Sequence, residues 1–500
     1  MARTITLPRP VEIRPIIKRT PFLLLVVLFA AYWCYVALTG SPNLITWDVY
    51  GYYVYLPAGL IYGDPVQYGF AAEHFANYQI ANEMYQLAAV GDGAFSPIYT
   101  MGLAILWLPF FLAAHAVAGV SGAWPADGLS LPYQLAVLAA TLCYVGLGIR
   151  FLATFLGRFC SARVTWLTIG ALLLGTNLFN YTFLESGMPH AYLFAGYALL
   201  LEYSARWHDR PTAPRTVIIG VIIGLMCLCR PSEGIALLLP LLYGVHDGES
   251  LRAKWQLIRR HWHYILLLAL TGIVIISPQV MYWRTTIGRW FFNGYAEHHF
   301  DWFSPHLWDG LFSYRKGWLL YTPLMVFALI GLIPLYRRRR AWFWPVAVYL
   351  IVNTYIVLSW HIWWYAGSFG MRALVQSYAV LSLPLAVLVA AVDRSWRQWP
   401  VYGILVACTV LNLFQTWQYH NRILLNDEMT ATYYRDAWGR TEFSNLSYQY
   451  IDVDERYPGA PPADPEIIAA EPCVSDTLAA GRPAETMPPD KEFGCTIALT

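Results

Sequence analysis

Long apolar stretches recur along most of the chain and are separated by shorter polar segments. A helix needs roughly 20 apolar residues to cross the hydrocarbon core of a bilayer, and about twelve stretches reach or approach this length. We predict membrane spans at 21–39, 98–119, 131–152, 164–183, 190–205, 216–229, 233–246, 263–283, 317–335, 341–359, 373–392 and 400–418. The pattern predicts an all-α polytopic membrane protein with about 11 to 13 transmembrane helices.

The polar segments divide the chain into three parts. Residues 1–20 form a predicted cytoplasmic N-terminus, residues 21–418 a transmembrane body, and residues 419–500 a polar tail. The first loop of the body, 40–97, is too long for a simple connector, and apolar pieces such as 53–62 are typical of helices that lie along the membrane interface. The tail has fourteen acidic and six basic residues, and we expect it to be a small extracytoplasmic appendage.

Basic clusters predict the orientation, because loops rich in Lys and Arg stay in the cytoplasm. They lie at 150–163, 206–215, 252–260, 337–340 and 394–397. Placing all of them inside puts both 40–97 and 121–130 outside, although one predicted span lies between these loops. Either 98–119, interrupted by Pro109, does not fully cross, or a short span near Arg230 is miscounted, or one cluster breaks the rule.

Composition agrees with a membrane protein and narrows the classes of partner. The chain is 57% hydrophobic and 13% charged, whereas soluble domains are about 25% charged. A net charge of +2 gives no support to nucleic acid as a partner. Six of the eight cysteines lie in or beside apolar stretches, while Cys473 and Cys495 lie in the tail, where an extracytoplasmic environment would permit a disulfide.

The motifs of soluble enzymes, such as a P-loop, GxGxxG or HExxH, are absent from the sequence. What remains is a set of polar groups that are predicted to share one face of the membrane. Asp48 comes first, because it lies among aromatic residues just after the first span, in the sequence TWDVYGYYVY. A carboxylate beside a lipid surface can deprotonate a sugar or lipid hydroxyl. A helix cap or an interfacial acid is the alternative interpretation.

Two further loops carry candidate ligands on the same predicted face. Glu185 and His190 border a polar turn between two spans. They could act as a second acid and a ligand-binding imidazole, or their polar groups could only stabilise the turn. Arg315 and Lys316 begin a span on the side opposite the basic clusters. An anionic partner such as a lipid phosphate would stabilise them there; snorkelling to the interface is the alternative.

A histidine pair in the loop before Arg315 has two interpretations. His298 and His299, with Asp301, could coordinate a divalent metal. Hydrogen bonding to a sugar or an acceptor is favoured, because this spacing in a loop is a weak metal signal. No metal site and no cofactor are therefore predicted.

The segment 360–372 combines clustered indoles with a cation. Trp364 offers a flat face of the kind on which pyranose rings stack, and Arg372 begins the next span, where it could pair with a phosphate or with Asp48. Arg230 lies between two apolar pieces with Glu233 one turn away, so that a structural ion pair and phosphate binding are both open. For the indoles, an aromatic belt at the interface is the alternative.

Several short sequences resemble those of a known superfamily. The aspartate in a long first loop, the Arg230-Pro231 turn, SYRKGWLLYTP at 313–323 and GSFGMRAL at 367–374 are similar to segments of the GT-C membrane glycosyltransferases. These include protein O-mannosyltransferases and the aminoarabinose transferase of lipid A. The chain lacks the second neighbouring acid and the Pro-Pro-Leu signature that many members have in the first loop.

The resemblance implies a fold, a reaction and a location. It implies an inverting transfer of a hexose or pentose from a polyprenyl-phosphate sugar to a glycan, lipid or protein acceptor, with Asp48 as base. Arg315, Lys316, Arg372 and Arg230 would bind the donor phosphate, and Glu185, His190, His298, His299 and Trp364 would line the sugar or acceptor pocket. The site would face the periplasm or exterior in the cell envelope, in a bacterial inner membrane. A lipid-linked glycan flippase, or a glycan polymerase or ligase that uses a pyrophosphate lipid, is the alternative function.

Overall fold

The computed structural model describes residues 43–295, 298–444 and 450–451. The predicted cytoplasmic N-terminus, the first span at 21–39 and the cysteines of the tail lie outside the described residues. The described part is mostly helical and contains one two-stranded sheet, in agreement with the expected all-α membrane protein.

The first loop folds into short helices and a β-hairpin. Its elements are α1 (Trp47–Tyr53), α2 (Tyr55–Pro57), a π-helical turn (Ala58–Tyr62), α3 (Ala71–Tyr78), β1 (Leu87–Gly91) and β2 (Ala94–Pro97). The strands pair antiparallel with Leu87 opposite Pro97, and a Gly-Asp-Gly turn with positive φ at all three residues connects them. The expected helical structure near 53–62 is therefore present.

The body is a bundle of helices of unequal length. Its first half contains α4 (Gly102–Ser121), α5 (Leu131–Leu156), α6 (Ala162–Leu174), α7 (Leu178–Phe183), α8 (Pro189–Asp209), α9 (Ala213–Cys229), a 3-10 helix (Pro231–Leu237), α10 (Leu238–Leu242) and α11 (Gly248–Arg260). Its second half contains α12 (Trp262–Thr286), α13 (Leu307–Phe312), α14 (Trp318–Tyr321), α15 (Leu324–Ile330), α16 (Leu332–Arg338), α17 (Arg340–Leu358), a 3-10 helix (Arg372–Ser377), α18 (Tyr378–Val392), α19 (Gln398–His420) and α20 (Ala431–Ala437).

Six helical segments of the described chain are long and apolar enough to cross a membrane. They are Gly102–Ser121, Leu131–Leu156, Trp262–Thr286, Arg340–Leu358, Arg372–Val392 and Gln398–His420. Other predicted spans are shorter or interrupted. The predicted span 164–183 divides into α6 and α7, and 317–335 divides into α14, α15 and α16, where Pro323 and Gly331 lie between the pieces. The integral, multi-pass character is supported, and the predicted number of 11 to 13 spans stays a prediction.

Contacts between connecting segments define two ends of the bundle. At one end, which we call the basic end, Arg158 pairs with Glu202 at 2.8 Å, Arg163 approaches Asp393 at 3.8 Å, and Arg339 stacks over Phe159. The basic end consists of residues 157–163, 206–215, 243–261, 336–341 and 393–397. We call the opposite end the site end; it consists of 43–100, 122–130, 184–189, 287–295, 298–317, 359–371 and 421–437.

Both flanks of α4 contact the first loop at the site end. The ring of Tyr99, before α4, packs on Tyr52 with centroids 4.3 Å apart. Beyond α4, Gly128 accepts a hydrogen bond from the hydroxyl of Tyr53, the next residue after Tyr52. Since the two flanks reach adjacent residues of α1, these contacts favour the first of the three orientation alternatives, in which 98–119 does not carry the chain to the other end.

Helices α9 and α10 form a hairpin whose tip reaches into the bundle beneath the site end. The hairpin starts from the basic end near Arg215 and returns there at Tyr243, and its tip is Arg230. The hairpin packs against α4 so closely that a Cβ on Gly102 would lie 2.3 Å from the carbonyl carbon of Leu228. This hairpin brings a cation of the interior to the candidate site.

Candidate functional site

Asp48 lies at the centre of the polar groups of the site end. Its Oδ1 accepts a hydrogen bond from the Tyr85 hydroxyl at 2.7 Å, and its Oδ2 accepts one from Nη2 of Arg372 at 3.1 Å. The side chains of Asp48 and Arg372 are 20% and 15% exposed. The carboxylate is therefore held from both sides while part of it stays accessible, and the predicted partnership of Asp48 and Arg372 is present.

The backbone around Asp48 is fixed by the rest of the first loop. Trp47 donates its N–H to Ile80 at 2.9 Å, and the Gln86 amide donates to the Trp47 carbonyl at 3.1 Å. Behind α1, a Cβ on Gly187 would lie 2.4 Å from a methyl group of Val49. Because the helix is held by these contacts, the direction of the Asp48 side chain is set before any ligand binds.

Arg372 follows a turn that is anchored on several sides. Gly370 has a φ of +60°, a conformation that favours glycine. The carbonyl of Phe369 accepts hydrogen bonds from Asn177 at 3.1 Å and from Tyr181 at 3.2 Å. The guanidinium therefore starts from a backbone position that is fixed by α7 and the residue before it.

Arg315 and Lys316 are already engaged by the protein. Arg315 donates from Nε and Nη2 to Oδ1 of Asp427, at 3.0 and 2.8 Å, and lies 4.0 Å above the centre of the Trp364 ring. Lys316 donates to the backbone carbonyls of Ser368 and Asn426. Burial lowers the pKa of Lys316 to about 7. These two cations join the turn before Arg372 to the segment after α19, so they position the site.

Arg230, at the hairpin tip, is the cation of the site whose guanidinium is least satisfied. Its Nη1 is buried and has no hydrogen-bond partner among the residues that the structure describes. The guanidinium lies 5.7 Å from the centre of the Tyr365 ring. The nearby Glu233 carboxylate accepts instead from Tyr197 at 2.5 Å and from Gln376 at 3.0 Å. A buried cation with an unused donor is suited to an anionic ligand.

Arg230 and Arg372 act on the same neighbourhood. His190, Tyr295 and Tyr365 each interact electrostatically with both guanidinium groups. His190 is 3% exposed, its Nδ1 lacks a hydrogen-bond partner within the described chain, and its ring packs on Tyr181. The predicted His190 is thus within electrostatic reach of both Arg230 and Arg372.

Glu185 is the second acid of this region. It interacts electrostatically with Arg372, Lys316 and the Tyr419 hydroxyl. Its backbone N–H bonds to the carbonyl of Asn180 at 2.8 Å, which fixes the turn after α7. The structure therefore brings Glu185 into the electrostatic neighbourhood of Arg372 and Lys316.

The predicted histidine pair belongs to a separate, more exposed cluster. His298 Nδ1 lies 3.3 Å from His361 Nε2, and the His299 ring stacks on His361 with centroids 4.4 Å apart. His299 also contacts Asp301 at 3.3 Å. Across the described ranges, three or more His, Cys, Asp or Glu side chains do not come together in a group that could hold a metal ion.

The sequence did not single out Tyr85 or Asp427. Burial, followed by the neighbouring Asp48 carboxylate, raises the pKa of Tyr85, so this phenol remains a hydrogen-bond donor to Asp48. A single tyrosine in an aromatic loop carries no sequence signal of this role. For Asp427 the sequence holds a weak signal. A cation beside the membrane, such as Arg315, usually has an anionic partner, and the tail contains acidic residues that could supply one.

Comparison with models of known protein families, with curated protein sequences and with solved structures finds no match to this chain. The arrangement of the site is therefore the basis for any functional conclusion.

Proposed function

We propose that the protein is a membrane glycosyltransferase of the GT-C type that uses a polyprenyl-phosphate sugar as donor. The observation that carries this proposal is the pairing of Asp48 with Arg372 beside a second guanidinium, Arg230, whose Nη1 has no partner in the described chain. One carboxylate and two cations at one end of a membrane bundle would provide a base for an acceptor hydroxyl and a site for a phosphate.

The donor phosphate would bind between Arg230 and Arg372. Both guanidinium groups interact electrostatically with His190 and Tyr365, so a phosphate placed near these residues would receive charge-assisted hydrogen bonds from both arginines. As the bond between the anomeric carbon and the phosphate oxygen breaks, negative charge grows on the phosphate. The two guanidinium groups would stabilise that charge.

Asp48 would act after Arg372 changes partner. In the structure Nη2 of Arg372 donates to Asp48 Oδ2, so this oxygen is already occupied. A phosphate that takes Arg372 would free Asp48 Oδ2 to accept the proton of the acceptor hydroxyl as that oxygen attacks the anomeric carbon. Tyr85 would keep the carboxylate oriented through Oδ1.

The remaining side chains would shape the sugar and acceptor pocket. Glu185 and His190 interact electrostatically with Arg372, while Trp364 is covered by Arg315. His298 and His299 lie farther out and would meet an acceptor rather than the donor phosphate. No metal is invoked in this mechanism. The site is proposed to face the exterior, since the basic end meets the expectation for cytoplasmic loops.

The test is turnover by the purified chain in lipid nanodiscs. A panel of undecaprenyl-phosphate sugars is supplied, and release of undecaprenyl phosphate is followed by mass spectrometry, with water or membrane extract as acceptor. We expect turnover by the wild-type chain and at least a 100-fold loss for Asp48→Asn, because a positioned base contributes about 10² to 10⁴ in rate. Normal turnover by Asp48→Asn would overturn the assignment.

One observation favours a second candidate, a transporter of lipid-linked glycans. Transporters often bind substrate where helices are broken, and Arg230 and Arg372 both border 3-10 segments. Such a protein would move a fluorescent lipid-linked glycan across a liposome membrane without changing its mass. Conversion of the donor to free undecaprenyl phosphate would instead support the transferase.

A further inference from the structure

Helix α11, at the basic end, presents apolar and basic side chains on its outer surface. Leu251 and Trp255, one turn apart, are 56% and 54% exposed. Arg252, Arg259 and Arg260 are exposed beside them. An apolar stripe flanked by arginines is typical of a helix that lies in the headgroup region of a bilayer.

The rotation of α11 is fixed by its opposite face. Lys254 is buried and donates to the carbonyls of Pro240 and Tyr243, at 2.8 and 3.1 Å, with His208 Nε2 at 2.6 Å. The start of the helix is capped by Asp247, whose side chain accepts the N–H of Ser250. Because Lys254 must point inward to make these bonds, Leu251 and Trp255 must point outward.

The apolar stripe lies next to a surface that is suited to lipid. A single residue separates the start of helix α12 from the end of α11. Helix α12 is apolar, and only 6% of its most apolar segment is buried within the protein. Trp262, at the start of α12, is 64% exposed. Tryptophan is favoured at the boundary between headgroups and hydrocarbon, so α11 and the start of α12 mark one membrane surface.

We propose that α11 binds anionic phospholipid, with the phosphate of the headgroup held by Arg252, Arg259 and Arg260. Leu251 and Trp255 insert between the acyl chains, and Arg259, which lies 5.1 Å from the centre of the Trp255 ring, links the two surfaces. Cytoplasmic orientation requires positive charge alone. The exposed apolar stripe has no role in orientation, and a lipid site accounts for it.

The test uses the full chain in mild detergent and measures phospholipid binding by native mass spectrometry. Phosphatidylglycerol and phosphatidylcholine with identical acyl chains are titrated separately. The site variant carries Arg252→Gln, Arg259→Gln and Arg260→Gln. A matched control carries Arg337→Gln, Arg338→Gln and Arg340→Gln, which remove the same charge from the same end. Thermal unfolding of each variant checks that the chain is folded.

We expect the wild-type chain and the control to bind phosphatidylglycerol about 10- to 100-fold more tightly than phosphatidylcholine. Each of the three arginines near a headgroup adds to the free energy of binding an anionic lipid, so their effects on affinity multiply. The site variant should lose most of this preference. Equal loss in both variants would show a general charge effect and overturn the proposal, as would an unchanged preference in the site variant. A second variant, Leu251→Ser with Trp255→Ser, should weaken binding of phosphatidylglycerol while leaving all arginines in place. Full affinity in that variant would exclude the apolar part of the site.

Discussion

Replacing Asp48 by asparagine should tighten the binding of a polyprenyl phosphate, even though it removes the proposed base. The change preserves the shape of the side chain, and its one amide oxygen can still accept at the position of Oδ1, from Tyr85, or at the position of Oδ2, from Arg372. It removes the negative charge with which a phosphate must compete for Arg372. Affinity and turnover are therefore expected to move in opposite directions.

The size of the effect follows from the distance between the two groups. With 3.1 Å between Nη2 and Oδ2, the attraction is about 5 kcal/mol at an effective dielectric constant of about 20. Much of this is offset by the cost of desolvation, and both side chains keep some contact with solvent. A net gain of about 1.5 to 3 kcal/mol for the phosphate corresponds to roughly 10- to 100-fold tighter binding.

The assay measures undecaprenyl phosphate binding to the purified chain by microscale thermophoresis. Glu73→Gln is the matched control, because it removes one negative charge from an exposed position of the same loop. Its affinity should stay within about twofold of wild type, since exposed charges are screened by salt. Thermal unfolding would verify that each variant is folded.

A double-mutant cycle with Arg372→Gln decides whether the ion pair is the cause. In the Arg372→Gln background, Asp48→Asn should have little effect, because the competition it relieves no longer exists. If Asp48→Asn tightened phosphate binding equally with Arg372 and with Gln at position 372, the cause would be the change in net charge and not the loss of the ion pair. Unchanged or weaker binding by a folded Asp48→Asn variant would refute the placement of the phosphate at Arg372.

Three further outcomes are expected from the same structure. Arg230→Gln should weaken undecaprenyl phosphate binding about tenfold or more by thermophoresis, since its donors face the proposed phosphate site. Asp427→Asn should lower thermal stability by about 2 to 3 kcal/mol, because it leaves Arg315 buried without its carboxylate, while changing phosphate affinity less than threefold. Burial lowers the pKa of Lys254 from 10.5 to about 7. Between these two pH values the unfolded chain therefore binds more protons than the folded chain. The free energy of unfolding should rise with pH in this range, by up to about 1.4 kcal/mol per pH unit for this one group. Lys254→Met should remove the contribution of Lys254 and so reduce the rise in thermal unfolding measured from pH 7 to 9, while Lys316, whose pKa burial also lowers to about 7, keeps its own contribution.

The apolar pattern predicted most of the helices in the body because burial in a bilayer demands long apolar stretches. It did not predict where those helices break, since Pro231 and Pro323 act through local backbone geometry within apolar sequence. The candidate site was predictable as a set of polar groups on one face. Its pairings were not, because Asp48 and Arg372 are separated by 324 positions and only the packing of the bundle brings them together. Arg315 illustrates the limit: it was expected to bind a phosphate, yet the tail supplies Asp427 as its partner.

The position of α4 has a consequence for how the chain is assembled in the membrane. This helix is apolar enough to enter the bilayer as soon as it is synthesised, yet both of its flanks remain at one end of the bundle. The bonds at its start come from Leu228 and Gln279, which follow their partners by 128 and 178 residues. We therefore expect α4 to reach its final position late, after those residues have entered the membrane. Chains truncated before residue 228 should leave α4 unanchored, and a cysteine label placed at 122–128 in such chains would report whether it first inserts across the bilayer.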